Sequence, residues 1–355
     1  MKKLYVPVLA LLTLASCSKS ELANRPVVEN DMVEIMATSK ALTIETRAPF
    51  EGSIASNNTL TAVVLGSTTA ADYTTTYCDG EMTFTDDNTT AVGFNTTPKY
   101  YPVNDDMVYF CALYPTPATD WKDIAATAKY TFDGKKDVMA AAQQSNNKSG
   151  AMKATPDVPS FTFKHLLTKL IVKVKAHDEA AQNVWGDITG ITLVKAMNGD
   201  VFDTAEVTLA TGAAATGTAA FSNAAADGMA FYRIDAAATP AYTDNAVDDA
   251  DNKIALTTTA EEVAYSLVAP IIADNDAKHI TLKVDTKLGE TVTTKEVSFD
   301  LYKVKVNDSD EALPFTGDTQ GKAFEITLTF KATEIVATAT VTDWVKGGNT
   351  EVEIQ

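Results

Sequence analysis

Thiols, imidazoles, clustered carboxylates and glycine-rich loops are the usual carriers of chemistry, and the 355-residue chain offers few of them. Its three cysteines, Cys17, Cys78 and Cys111, contain no C-x-x-C pair, which argues against a structural zinc site. Cys78 and Cys111 are compatible with one disulfide in an oxidising compartment or with two buried thiols; the sequence leaves both open. His165 sits in a strand-like stretch and reads as a structural histidine, while His177 and His279 are isolated. The glycines Gly317 and Gly321 stand too close together for a phosphate loop, and Ala323 occupies the place of the hydroxyl residue, so a turn is expected there. Asp248 to Lys253 has the oxygen density of a calcium loop, but Lys253 stands where a further ligand is wanted, which favours a solvated acidic loop. Trp121, Trp185 and Trp344 are far apart for a sugar-stacking platform, and packing is the reading for each, as for Tyr100 and Tyr101. There is no H-E-x-x-H and no G-x-S-x-G. Neither an enzyme nor a bound cofactor is expected.

Cys17 is different because of what precedes it. Lys2 and Lys3 are followed by an apolar run from Leu4 to Ala15. That run is about a third too short to cross a bilayer, so residues 1–16 read as a signal peptide. Its ending, Leu14-Ala15-Ser16-Cys17, resembles the bacterial lipobox, in which the cysteine thiol receives a diacylglycerol and becomes the first residue after cleavage. Export and lipid tethering at Cys17 are therefore expected. Arg47 is one of three arginines, with Arg25 and Arg233. It closes a stretch in which Leu42 and Ile44 alternate with Thr43 and Glu45, and it precedes a Pro-containing turn. Taken alone, it reads as a surface residue.

The elements around these residues read as strands. Short β-branched or aromatic runs bounded by Asp, Asn, Gly, Pro and Thr recur from Ala48 onward. Phe161 and Phe163 alternate with polar residues, and Leu170, Val172 and Val174 alternate with lysines across an outward-facing Ile171. Lys135–Gln144 admits a helical turn. The Ala-, Thr- and Asp-rich region 205–252 reads as long loops between weak strands. Thr329 to Val341 reads as a terminal hairpin. Strands and helices do not alternate, which disfavours a parallel sheet and leaves all-β sandwiches. A net charge of −18, from 47 acids and 29 bases, argues against nucleic-acid binding.

The lipobox at Cys17, Thr46-Arg47-Ala48, "KDVMAA", "FTFKHLLTKLIVKV" and "FEITLTFKATEIVATATVTDW" together resemble the fimbrillin family, the Bacteroides-type lipoprotein pilins or type V pilins. The resemblance implies two tandem transthyretin-like β-sandwich domains, 48–178 and 179–355, after a propeptide of residues 17–47 that holds a tether and a plug strand. It implies passage to the outer membrane as a lipoprotein. An arginine-specific protease would then cut Arg47–Ala48, freeing a groove that a strand of another pilin subunit fills. Leu42 and Ile44, with Val33 and Ile35, are the expected plugging side chains. The candidate donor is the C-terminal region from Val345 to Gln355, where Val352 and Ile354 alternate with Glu351 and Glu353. The chain is then a stalk or tip subunit of a surface fimbria that supports adhesion to a host or bacterial target. The competing expectation is a monomeric surface lipoprotein binding glycan or host protein, which would keep its lipid and need a clustered aromatic face.

Overall fold

The structure, a computed structural model, describes residues 32–41, 59–85, 90–115, 127–196, 201–214, 221–225, 227–235, 242–270, 279–300, 304–306, 320–343 and 352–354. The fold is nearly all β. The first half contributes β1 (Thr38–Ala41), β2 (Leu60–Ser67), β3 (Cys78–Phe84), β4 (Val108–Tyr114), β5 (Thr127–Thr131), β6 (Met139–Asn146) and β7 (Ser160–His165). All but β5 form one sheet, in the order β1-β7-β6-β4-β2-β3. One short helix, α1 (Lys148–Ala151), follows β6 and is capped by the Asn147 side chain.

This sheet is buried on both faces, which is why β2 reads as an almost unbroken apolar run and not as an alternation. Val63, Leu65, Cys111, Leu113 and Ala140 face the main core. Leu60, Ala62, Val64, Phe110, Phe161 and Phe163 face a second core on the other side. Cys78 belongs to the second core and Cys111 to the first, and both thiols are free. They lie on β3 and β4, which flank β2, opposite Gly66 and Leu65 respectively. Two inter-strand spacings, about 9.6 Å, and opposite faces exclude a disulfide. Burial pushes both thiols up to about 12, so neither is a nucleophile at neutral pH.

Lys135–Gln144 is not helical. Most of it is β6, which lies between β4 and β7 and places Met139 and Ala141 in one core and Ala140 in the other, with Val138 just before it beside Ala140. Tertiary pairing overrides the helix propensity of its alanines.

The second half adds β8 (Thr168–Ala176), helix α2 (Glu179–Trp185), β9 (Asp187–Lys195), β10 (Phe202–Thr208), β11 (Ala213–Ala214), β12 (Phe221–Ala224), β13 (Met229–Ala230), β14 (Tyr232–Ile234) and β15 (Tyr242–Ala246). It continues with β16 (Glu261–Val268), β17 (His279–Leu288), β18 (Thr291–Asp300), β19 (Val304–Val306), β20 (Lys322–Phe330), β21 (Ile335–Asp343) and β22 (Val352–Ile354). Sheets β15-β14-β16-β8-β20-β21 and β13-β9-β17-β18 enclose Leu170, Val172, Val174, Leu282, Phe324 and Leu328. The terminal hairpin is β20–β21, paired in register from Lys322↔Asp343 to Phe330↔Ile335.

The described residues of the Ala-rich region include several short strands. One of them, β10, pairs antiparallel with β5 from Thr204↔Thr131 to Thr208↔Thr127. Strand pairing thus crosses the division expected at residues 178 and 179. α2 begins there, its first turn capped by the Asp178 side chain. Trp185 closes it as a core residue, its indole N–H donating to the Lys331 carbonyl at 2.6 Å and its ring edge-on to Phe330.

Ile171 points away from the main core, as its place between Leu170 and Val172 predicts, and is covered there by Ile234, Tyr242 and Tyr265. Lys169, whose position in the alternation predicts exposure, is fully buried. Its ammonium donates to the Tyr242 hydroxyl at 3.1 Å and lies 4.4 Å from the ring centroid.

Candidate functional site

Residues 33–41 form a strap over the second core. Hydrogen bonding fixes it one residue at a time. The Tyr101 N–H donates to the Val33 carbonyl at 2.9 Å, and the Ile35 N–H donates to the Lys99 carbonyl at 2.7 Å. Ala37 and Val92 exchange both backbone bonds, at 2.9 and 2.8 Å. The Thr38 N–H then donates to the Pro159 carbonyl, and the chain enters the sheet as β1, parallel to β7 from Thr38↔Ser160 to Ala41↔Phe163. β1 is the edge of its sheet, with β7 as its one strand partner among the described residues.

Alternation gives the strap an inner row. Ile35 and Ala37 are each 1% exposed and Ser39 is 0% exposed. Ile35 and Ala37 join the cluster of Phe84, Phe161 and Phe163, whose rings meet one another at centroid distances of 6.1 to 6.4 Å. Val33 packs at the margin of this cluster. The row runs from large to small: an isoleucine, an alanine and a serine. The Ser39 hydroxyl is buried without a hydrogen-bond partner. Gly93 lies under the strap, and a Cβ there would come within 2.6 Å of a Glu34 carboxylate oxygen.

The far end of β7 is fixed by a buried pair. His165 Nδ1 and Asp137 Oδ2 lie 2.6 Å apart with side chains 2% and 1% exposed, in the geometry of an ion pair and not of an aligned hydrogen bond. The structural reading of His165 fits this position. The chemistry available at the groove is that of backbone pairing. A strand that leaves exposes the N–H and C=O groups of β7 and a row of apolar pockets, and another strand can satisfy both.

Of the plug residues expected from sequence, the structure places Ile35 and Val33 in the strap. Leu42, Ile44, Arg47 and Ala48 lie outside the described residues, as do Cys17, Trp121, Trp344 and Gly317. Val352 and Ile354 are brought to β19 of their own chain, pairing as Val306↔Val352 and Val304↔Ile354 beside β21. Sequence reasoning missed Ala37 and Ser39, and the pairing of Ala37 with Val92, of Ile35 with Lys99 and of Val33 with Tyr101. The alternation of Val33 and Ile35, continued through Ala37 and Ser39, was the available signal.

Elsewhere the surroundings match structural roles. Asp248 accepts from the Ala250 N–H and from the Asn252 amide, while Lys253 pairs with Asp187 and Lys287 with Asp249. Among the described residues no three His, Cys, Asp or Glu side chains converge to hold a metal ion, and no helix is long and apolar enough to cross a membrane. Tyr232, Tyr242 and Tyr265 cluster on the outer side of the β8 sheet, but Tyr242 and Tyr265 are buried against each other, edge to face at 4.8 Å. That cluster is packing and not an open stacking platform.

Comparison with known proteins follows the same lines. The model of a family described as fimbrillin-like matches residues 46–344. A candidate cell adhesion protein from Bacteroides ovatus is similar in structure, with a TM-score of 0.51 at 15% identity over 89% of this chain and 99% of that one. A fimbrial protein from Bacteroides vulgatus gives a TM-score of 0.42 at 16% identity over 87% of this chain and 99% of that one. The tip fimbrial protein Mfa3 from Porphyromonas gingivalis gives 0.42 at 10% identity over 88% and 100%. No curated protein matches the sequence. The family model spans most of the chain, and the chain belongs to the fimbrillin-like family.

Proposed function

We propose that this chain is a structural subunit of a cell-surface fimbria, exported as a lipoprotein through Cys17, cut after Arg47 and assembled by strand exchange. Membership of the fimbrillin-like family supports the coarser part, a pilin-type role in adhesion without enzymatic activity. The finer part is our reading, and one observation carries it. Residues 33–41 form a strap whose inner row of Ile35, Ala37 and Ser39 is buried, yet it enters the sheet as an edge strand with β7 as its one strand partner among the described residues. A covalently attached strand of this kind benefits from a high effective concentration. Cutting at Arg47–Ala48 removes that benefit without removing the groove, and a strand from another subunit then restores the ladder by β-augmentation.

In this reading the partners are other pilin subunits, an arginine-specific protease, the outer membrane before maturation, and a host or bacterial adhesion target. Two tandem sandwiches make up the mature subunit in this reading; β8 (Thr168–Ala176) precedes the division expected at 178 and 179 yet pairs with β16 and β20 of the second, and β10 of the second half pairs with β5 of the first. Treating purified precursor with an arginine-specific protease tests the mechanism. The expected product begins at Ala48 and oligomerises, while Arg47→Ala protein stays monomeric. Efficient fibre formation by Arg47→Ala would rule the mechanism out.

A further inference from the structure

The chain holds three arginines, and two of them are barred from an arginine-specific protease by different means. Arg25 is followed by Pro26. A proline there makes the bond a tertiary amide, removes the N–H and fixes φ at about −65°, which obstructs an enzyme that must seat both sides of the bond. Arg47 is followed by Ala48 and Arg233 by Ile234, neither of which is a covalent obstacle. At Arg233 the fold supplies one instead. We propose that folding locks the Arg233–Ile234 bond, so that one arginine-specific protease matures a folded subunit at Arg47 and destroys an unfolded one at Arg233. The proposal rests on the reading of Arg47 as the maturation site and adds a control over which chains survive it.

A protease needs an extended, unpaired segment whose arginine side chain is free to enter the enzyme's own pocket. The fold denies each of these. β14 is paired with β16 on one side and with β15 on the other. The Arg233 carbonyl, the group to be attacked, accepts from the Thr243 hydroxyl at 3.1 Å. The guanidinium donates to the Lys253 carbonyl, with the Asn252 carbonyl at 3.5 Å. On the far side of the bond, Ile234 is 6% exposed and packs with Ile171, Tyr242 and Tyr265. On the near side, Phe231 is fully buried, and the Tyr232 hydroxyl donates to the Asp133 carbonyl of the first half at 2.9 Å. Every residue from Phe231 to Ile234 is therefore engaged by the fold.

The lock opens where β15 leaves. β15 is the outer strand of its sheet, with β14 as its one strand partner among the described residues. Tyr242 holds it down: its hydroxyl accepts from the Lys169 ammonium at 3.1 Å, and its ring meets Tyr265 edge to face. The Tyr265 hydroxyl donates in turn to the Thr243 carbonyl at 3.2 Å. The buried Lys169 thereby fastens the strand that covers the Arg233 bond. Cutting of a folded chain tracks the population of its opened form when opening and closing are fast, so the rate at Arg233 reads the local stability of β14 and β15. A cut there leaves β8 on one fragment and β15, β16, β20 and β21 on the other. Neither fragment holds the sheet complete, and the chain is lost to assembly.

Full-length precursor treated with an arginine-specific protease tests the lock, with the fragments read by intact mass. Native wild type is expected to be cut at Arg47 and not at Arg25 or Arg233. The same chain unfolded in urea is expected to be cut at Arg47 and at Arg233, and still not at Arg25. Native Tyr242→Ala, which frees β15, should be cut at Arg233 at least about tenfold faster than native wild type. Adding Arg233→Lys should return that variant to a single cut. Tyr242→Ala removes core packing as well, so Thr243→Ala serves beside it. It deletes the hydroxyl on the Arg233 carbonyl and should speed cutting at Arg233 with the melting temperature nearly unchanged. Cutting of native wild type at Arg233 as fast as at Arg47, or no acceleration in either variant, overturns the lock. Cutting at Arg25 in the unfolded chain overturns the part assigned to Pro26. A chain that resists at Arg47 while Arg233 opens on unfolding overturns Arg47 as the maturation site and leaves the lock standing.

Discussion

The first sheet ends on β1 and the sheet of β9 and β17 ends on β18, and the two edges are made of different materials. β18 is ten residues long, follows β17 through a two-residue turn with Gly289 at φ 60, and exposes Thr294, Lys295 and Glu296 to solvent. Its side chains guard the edge against further pairing, because a symmetric antiparallel partner centred on Lys295 or Glu296 would oppose like charges. β1 is four residues long, continues a strap whose inner row of Ile35, Ala37 and Ser39 is buried, and reaches β2 only through residues 42–58. A permanent edge is long, local and charged. The strap's edge is short, sequence-distant from its partner β7 and apolar inside, which suits a strand that is held by its contacts and can be replaced by an equivalent one.

Mutation can break or sharpen this contrast. The largest effect is expected under the strap. Ile35→Ala empties the largest pocket there and should cost about 2–4 kcal/mol, read from chemical denaturation of the uncut precursor. It should also raise hydrogen exchange at Lys99–Tyr101 and along β7, which the strap covers. Asp137→Ala removes the carboxylate beside buried His165 at the end of β7 and should cost about 1–3 kcal/mol in the same assay. Ser39→Ala should act in the opposite direction, stabilising the precursor by about 1 kcal/mol through loss of an unpaired buried hydroxyl, and should slow exchange after cutting. On the guarded edge, Val292→Thr changes a side chain that is 59% exposed; a shift within about 0.5 kcal/mol is expected there. A comparable loss from Val292→Thr and Ile35→Ala would erase the distinction between the two edges.

Local patterns made much of this legible. Phe161, Phe163, Leu170, Val172, Val174 and the β20–β21 hairpin followed from alternation, because each lies on a strand whose inward face the period-2 rule identifies. The pairing of β5 with β10 did not, because it joins residues more than seventy positions apart, Thr131 and Thr204, and both lie in segments of weak pattern. The burial of Lys169 was not legible, because alternation says which way a side chain points but not whether another layer covers that face. β2 and β6 are buried on both sides, which removes the alternation altogether. Of the groove, the plug position was legible only in outline. Ile35 stood out by size, whereas Ala37 and Ser39 are too small to mark a core position by hydrophobicity and are recognisable only from the pockets that receive them.

The central claim is that the strap is a temporary occupant removed before assembly. The N-terminal residue of the subunit isolated from fibres on intact cells tests it most directly. The account predicts a chain that begins at Ala48 and lacks Ile35, Ala37 and Ser39. Fibres whose subunits still begin at Cys17, with the strap in place, would contradict it.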